Sequence, residues 1–222
     1  RRRRRDENEP GRFYVDSSCI DCDTCRWMAP GTYGRAEGAS YVKRQPRTDG
    51  EVADALAAVV ACPTGSIRLE TPEPRVRDVR FPRPIDASLP HVYHLGYHCA
   101  ASFGATPYLL HAPHGAAGAP LTAMVDSPRY NSALARSIEF AGMSPQLMLL
   151  THMDDVGEMS RWKERFPDLE RVMHAADVRS AEQWPYVEMR CVERILHGDG
   201  PWELAPGLGA IHTPGHSRGS LC

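Results

Sequence analysis

The stretch Cys19-Ile20-Asp21-Cys22-Asp23-Thr24-Cys25, answered 37 positions later by Cys62-Pro63, decides how this chain begins to fold. Three thiolates separated by two residues each can wrap one face of a cuboidal metal–sulfur core. A fourth arriving from a remote Cys-Pro completes the ligand set of a single 4Fe-4S cluster. Zinc prefers two separated Cys-x2-Cys knuckles, and disulfides fit badly where three cysteines crowd into seven residues. Cys19, Cys22, Cys25 and Cys62 are the expected ligands and a 4Fe-4S cluster the expected cofactor.

The flanks agree. Phe13-Tyr14-Val15-Asp16 reads as a strand entering the cysteine loop, and Thr48-Asp49-Gly50-Glu51 has the form of a capping box. Val52, Leu56, Val59 and Val60 then share one helical face, and Pro63 stops the helix just after it has delivered Cys62. From about Arg12 to Thr71 the segment resembles a single-cluster bacterial-type ferredoxin, with Ser66 to Leu69 as its closing strand, paired with Phe13 to Val15. In two-cluster ferredoxins the run continues to another Cys-Pro. Here it reads Arg26-Trp27-Met28-Ala29-Pro30, so the resemblance implies one cluster.

A chain of 222 residues has room for this small domain and one larger one. The expected layout is a disordered tail over 1–11, the ferredoxin domain over 12–71, a linker over 72–90 and the larger domain over 91–222. The formal charge of −2 demands no polyanionic partner, and the Arg1 to Arg5 run is followed at once by Asp6, Glu7 and Glu9. A solvated tail is expected there, not nucleic-acid binding. The longest apolar run, Ala55 to Cys62, is too short to span a bilayer, so no membrane anchor is expected. Seven cysteines, four of them assigned to a cluster, point to a reducing compartment. Cys99, Cys191 and Cys222 read as buried or spare thiols.

Pro72, Pro74, Pro82, Pro84 and Pro90 suit an extended linker. His91 to His98 alternates like a strand; its three imidazoles are expected to bond to backbone or to the neighbouring cluster domain. Beyond Pro107, short apolar strands alternate with amphipathic helices. Strands are predicted at Tyr108 to Leu110, Leu121 to Val125, Leu147 to Leu150, Arg171 to Met173, Val187 to Leu196, Trp202 to Leu204 and Leu208 to His212. Helices are predicted near Ser132 to Ala141, Val156 to Phe166 and Ser180 to Gln183, giving an α/β layered domain.

Three fragments fall where strands end: Val125-Asp126-Ser127-Pro128, Leu150-Thr151-His152-Met153-Asp154-Asp155 and Thr213-Pro214-Gly215-His216-Ser217. Their order resembles the metallo-β-lactamase fold from about Tyr93 to Cys222. That fold is a four-layer αββα sandwich with its metal site at the strand ends. The resemblance implies that Asp126 supports the metal loops, that His152 is the first metal-binding histidine and that His216 is the histidine of the Pro-Gly-His turn. The family's loop reads His-x-His-x-Asp-His; this chain has one histidine with Asp154, Asp155 and Glu158. It is closer to a subgroup of ferredoxin fusions, from bacteria and photosynthetic eukaryotes, carrying Thr-His-x-Asp-Asp-Val, although that subgroup often has histidine where this chain has Met159. Zinc, iron or manganese held by His152, Asp154, Asp155 and His216 is the implied second cofactor, carboxylates favouring the harder ions. The residues also allow Asp154 or Asp155 to cap a helix starting near Val156, and His152 and His174 to be held at strand ends by hydrogen bonds.

The expected fold is thus an α+β ferredoxin-like cluster domain followed by an αββα metallo-β-lactamase-like sandwich, incomplete because Ser220-Leu221-Cys222 falls where another strand is expected. The function this implies is metal-dependent hydrolysis of an ester or thioester, with Asp155 orienting the attacking water. Two alternatives stand beside it: an electron-transfer oxidoreductase coupling the cluster to the second metal or a partner, and a non-catalytic degenerate scaffold. The partners implied are an electron donor or acceptor protein and a small-molecule substrate. The compartments are the bacterial cytoplasm or, through the resemblance, the plastid stroma.

Overall fold

The structure is a computed structural model that describes residues 2–113, 118–181 and 192–222, of which 179–181 by backbone alone. Strand β1 (Phe13–Val15) leads into the cysteine loop and helix α1 (Thr24–Met28). A hairpin of β2 (Tyr33–Ala36) and β3 (Ala39–Val42), helix α2 (Asp49–Ala61) and β4 (Ile67–Leu69) follow. β4 pairs antiparallel with β1, Val15 opposite Ile67, as expected. The Thr48 hydroxyl accepts from Glu51 N–H and the Glu51 carboxylate answers at Thr48 N–H, so the predicted capping box forms and α2 starts at Asp49.

The expected disordered tail is instead part of the fold. Arg4 bridges to Asp16, Arg5 N–H donates to Val15 O, and Arg2 reaches the carbonyls of Thr64 and Gly65. The side chain of Asn8 explains why. Buried between β1 and β3, its Oδ1 accepts from the N–H groups of Val15 and Val42 and its Nδ2 donates to Arg5 O and Val15 O. One side chain satisfies four backbone groups that water does not reach.

The linker is also more than a connector. Pro74–Asp78 forms a 3-10 turn, Phe81 is buried in the larger core, and β5 (Arg83–Pro84) pairs with β6 (Val92–His94) at the edge of the main sheet. That sheet continues through β7 (Tyr108–Ala112), β8 (Leu121–Val125), helix α3 (Ser132–Phe140), β9 (Leu147–Leu149), helix α4 (Met159–Arg165), β10 (Glu170–His174), helix α5 (Ala175–Ala181) and β11 (Arg194–Leu196). Its order is β11-β10-β9-β8-β7-β6-β5, parallel from β8 to β11 and antiparallel elsewhere. A separate hairpin, β12 (Trp202–Ala205) with β13 (Leu208–Ala210), completes the elements.

Alternation along the parallel strands builds two cores. Met124, Met148 and Met173 face Leu134, Ile138, Met159 and Trp162 of the helices, whereas Ala123, Leu147, Leu149 and Val172 meet Leu204 of β12 and Ala210 of β13. Helix, sheet and second-sheet layers are therefore in place, and both faces of the strands are buried, which is why they read as continuous apolar runs. The helix predicted from Val156 starts only at Met159. Gly157 has φ +36°, and a Cβ there would stand 2.7 Å from Ser127 O. The predicted helix at Ser180 to Gln183 is the end of α5, with 182–183 outside the described residues. Of the predicted strand Val187 to Leu196 the portion 187–191, with Cys191, lies outside them too. No helix among the described residues is long and apolar enough to cross a membrane.

The two domains share α2. Ala55, Leu56 and Ala58 belong to the cluster-domain core, while Ala57 and Ala61 belong to the core of the larger domain.

Two expectations follow. Asn8→Ala strands two buried N–H donors and should lower stability in anaerobic urea unfolding by roughly 2–4 kcal/mol, with the tail still intact. On the far edge, Arg171 binds Glu193 in a two-pronged pair. Although burial raises the Glu193 carboxyl, the guanidinium and the Arg171 N–H pull it down to about 2. A depressed carboxylate contributes stability that is present above its unfolded value and lost as pH falls. Wild type should therefore lose stability between about pH 4.5 and 2, and Glu193→Gln should be less stable at neutral pH and show a shallower acid loss.

Candidate functional site

The four predicted cluster cysteines converge from two segments, and each is a free thiol. Asp21 and Asp23 adopt left-handed backbone, with φ 59° and 69°, which turns the loop so that Cys19, Cys22 and Cys25 face inward. Cys62 is the C-cap of α2. The sulfurs are ringed by donors: Asp21 and Ser40 N–H point at Cys19 Sγ, Ser66 N–H at Cys62 Sγ, the Thr24 hydroxyl contacts Cys22 Sγ and the Ser40 side chain contacts Cys25. Burial pushes the Cys25 thiol up to about 12 and raises that of Cys22, so ionised sulfur here requires metal charge. Buried sulfurs with hydrogen-bond donors aimed at them fit a cluster.

A second group lies at the strand ends of the large sheet. His152 Nε2, Asp154 Oδ2 and His216 Nε2 converge, every ligand atom within 4.8 Å of the others. His216 Nε2 stands 2.9 Å from Asp154 Oδ2 and His152 Nε2 stands 4.0 Å from it, while the two imidazoles meet edge to face at 4.7 Å. Behind them, the Thr151 hydroxyl donates to Asp126 Oδ2, so its lone pair is free to accept from His152 Nδ1 at 3.0 Å. That fixes the tautomer and leaves the Nε2 lone pair for a cation, an outer-shell arrangement usual for metal-binding histidines. Burial and the neighbouring His216 hold the His152 imidazole below its ordinary range, so it stays neutral. The donor set of two imidazoles and a carboxylate fits zinc, iron or manganese.

Asp126 lies behind His152, bonded to Thr151. At φ 60° it also accepts from Thr151 N–H, and burial pushes its carboxyl up to about 7 against both hydrogen bonds. Asp155 stands apart from the converging trio. Its Oδ2 lies 3.4 Å from His152 Nδ1, and burial, with Asp126 and Asp154 nearby, raises its carboxyl to about 8. Neither Asp154 nor Asp155 caps a helix, because the N-cap of α4 is Glu158. His174 is held elsewhere, donating from Nε2 to Gly198 O and stacking on His212 at 4.4 Å.

Asp177 went unassigned in the sequence reading. Fully buried, it accepts from Met153 N–H, the Ser217 hydroxyl and Gly219 N–H, tying the His152 loop to the His216 loop. Its only local signal is an acidic residue just past an apolar strand. Ser102 was missed as well; its buried hydroxyl has no partner among the described residues and lines the cavity beside the trio. That cavity, of about 300 Å³, is also lined by His152, Asp154, Asp155, His216 and Cys22.

Residues 15–69 match the family described as the 4Fe-4S single cluster domain of Ferredoxin I. No curated protein matches the chain. Among solved structures it is similar to a B. thuringiensis AiiA mutant with N-decanoyl-L-homoserine bound at the active site, with 15% identity and TM-score 0.38, covering 52% of this chain and 56% of that one. It is also similar to the BLEG-1 B3 metallo-β-lactamase, with 18% identity, TM-score 0.40 and coverage of 52% and 59%. A third is TTHA1623 in a di-iron-bound form, with 24% identity, TM-score 0.37 and coverage of 52% and 59%. The chain spans between half and two thirds of the length of these structures, and such scores carry no chemistry across.

Protein purified without oxygen should be brown and hold about four irons per chain in the cysteine site, and Cys62→Ser should deplete them; colourless, folded, iron-free protein would refute the assignment. Residues 15–69 are thus matched by a single-cluster 4Fe-4S ferredoxin domain, and a mixed α/β domain is joined to it.

Proposed function

We propose that this chain is a redox metalloprotein in which the ferredoxin domain serves a metal-dependent site in the larger domain, acting on a small molecule held between them. One observation carries the reading: the cluster ligand Cys22 lies on the wall of the same cavity as His152, Asp154 and His216. A 4Fe-4S cluster supplies single electrons when bound, and a divalent cation supplies charge that polarises a substrate oxygen.

The chain's own residues do the rest. His152 offers its Nε2 lone pair, His216 Nε2, which donates to Asp154 Oδ2, would offer its own once a cation displaced that proton, and Asp126 with Asp177 keeps the two loops in register. Asp155, whose carboxyl burial raises before any cation is bound, has its Oδ2 3.4 Å from His152 Nδ1 on the cavity wall, where it can take up or release a proton. Exposed Phe103 and the Gly104 to Thr106 backbone form the remaining wall, leaving the cavity open to a ligand of modest size.

A second reading, hydrolysis of an ester or thioester at the same site, is favoured by the place of Asp155 on the same cavity wall as His152, Asp154 and His216, since a carboxyl beside a polarising cation suffices without electrons. The two readings separate experimentally. Anaerobic wild type should carry zinc, manganese or extra iron beyond the cluster, and His152→Ala with His216→Ala should lose it while keeping the brown cluster. Unchanged metal content removes both readings. Reoxidation of the reduced cluster that is accelerated by substrate in wild type, and not in the double variant, supports the redox reading. Hydrolysis that survives Cys62→Ser supports the other.

A further inference from the structure

Residues His98 to Gly104 belong to the larger domain, yet they are moulded onto the cluster loop. His98 N–H donates to Ala61 O, beside Cys62. Gly104, at φ +82°, is so close that a Cβ would stand 2.5 Å from Cys22 Cβ and 3.0 Å from its Sγ. The His98 ring is fully buried, with Nδ1 2.9 Å from Thr24 Oγ1 and 3.0 Å from Gly104 O. Thr24 Oγ1 in turn lies 3.3 Å from Cys22 Sγ and 3.5 Å from Gly104 O.

The direction of each proton follows from which atoms can only accept. Gly104 O has no proton, so Nδ1 carries one. The remaining ring nitrogen, Nε2, is buried without a partner among the described residues, as suits an imidazole kept for its other side. Burial lowers the ring to about 4, so it holds a single proton at neutral pH. A cysteine sulfur bound to iron is an acceptor only, so the Thr24 hydroxyl donates to it. The one Nδ1–H is shared between Gly104 O at 3.0 Å and a lone pair of Thr24 Oγ1 at 2.9 Å, which leaves the hydroxyl its own hydrogen for the sulfur.

We propose that His98 is a redox-tuning residue, acting across the domain boundary by orienting the Thr24 hydroxyl toward Cys22 Sγ. A hydrogen bond to a cluster sulfur stabilises the more negative, reduced state and so raises the potential. Without the imidazole, the hydroxyl is free to turn to Gly104 O, and the cluster loses that stabilisation. His98 is a positioning residue. The inference rests on the four-cysteine cluster and is independent of the metal trio.

The test is a mediated redox titration of anaerobic protein followed by electron paramagnetic resonance, with iron content as the check on loading. Thr24→Val and His98→Ala should each move the midpoint to more negative potential by a similar amount. The double variant should move no further, since both changes remove one hydrogen bond. Thr24→Ser, which keeps the hydroxyl, and His98→Asn, which restores an N–H donor near Nδ1, should titrate near wild type. If His98→Ala does not fold, the Thr24 pair and His98→Asn carry the comparison. A wild-type midpoint in Thr24→Val, or single shifts that add in full in the double variant, overturns the proposal.

Discussion

Helix α2 is the constraint on which everything else rests, because it is buried on two sides at once. Its Ala55, Leu56 and Ala58 complete the small core, while Ala57 and Ala61 sit in the large one. The cluster domain is otherwise two short sheets and a five-residue helix, little apolar surface from which to build a stable unit. Burying the second face of α2 supplies what that core lacks, and it sets where Cys62 stands relative to the large sheet. The proximity of Cys22 to His152 and His216 follows from this docking and from the loop His98 to Gly104 that seals it.

The metal trio depends on a comparable economy of buried carboxylates. Asp126 holds Thr151, and Thr151 orients His152; Asp177 binds one ligand loop 24 residues before it and the other 42 residues after it. Burying these acids costs desolvation, as the raised carboxyl of Asp126 registers, and the N–H and O–H donors that meet Asp126 and Asp177 offset it. Buried acids that hold two loops in place are a reasonable expense where ligand distances must be kept while the loops themselves have no regular structure.

Legibility in the sequence followed the range of the interactions. The four cysteines, the Thr48 capping box and the apolar strands are local patterns, and the structure has them where the spacing puts them. The resemblance implied His152, Asp154, Asp155 and His216, and the structure brings together the ligand atoms of His152, Asp154 and His216 while Asp155 stands aside. What escaped notice was long-range polar pairing. Asn8 reaches Val42 and Arg2 reaches Gly65, contacts that an arginine run followed by acids gives no hint of. The Tyr33–Val42 hairpin did leave a trace: Glu37 and Gly38 both have positive φ, and a glycine at such a turn is a hairpin signal that the cysteine pattern overshadowed.

The small side chains on the shared helix carry a last implication. Ala57 and Ala61 are fully buried in the core of the larger domain, where nothing larger than a methyl group stands between the helix and that core. A ferredoxin module transplanted from another protein with leucine or isoleucine at these two positions would bring its four sulfurs intact and still dock badly, because the larger side chains would hold the bodies apart by about the width of a methyl group or more. Interchangeability between such modules is therefore limited by carpentry at the joint, and cofactor chemistry has little say in it.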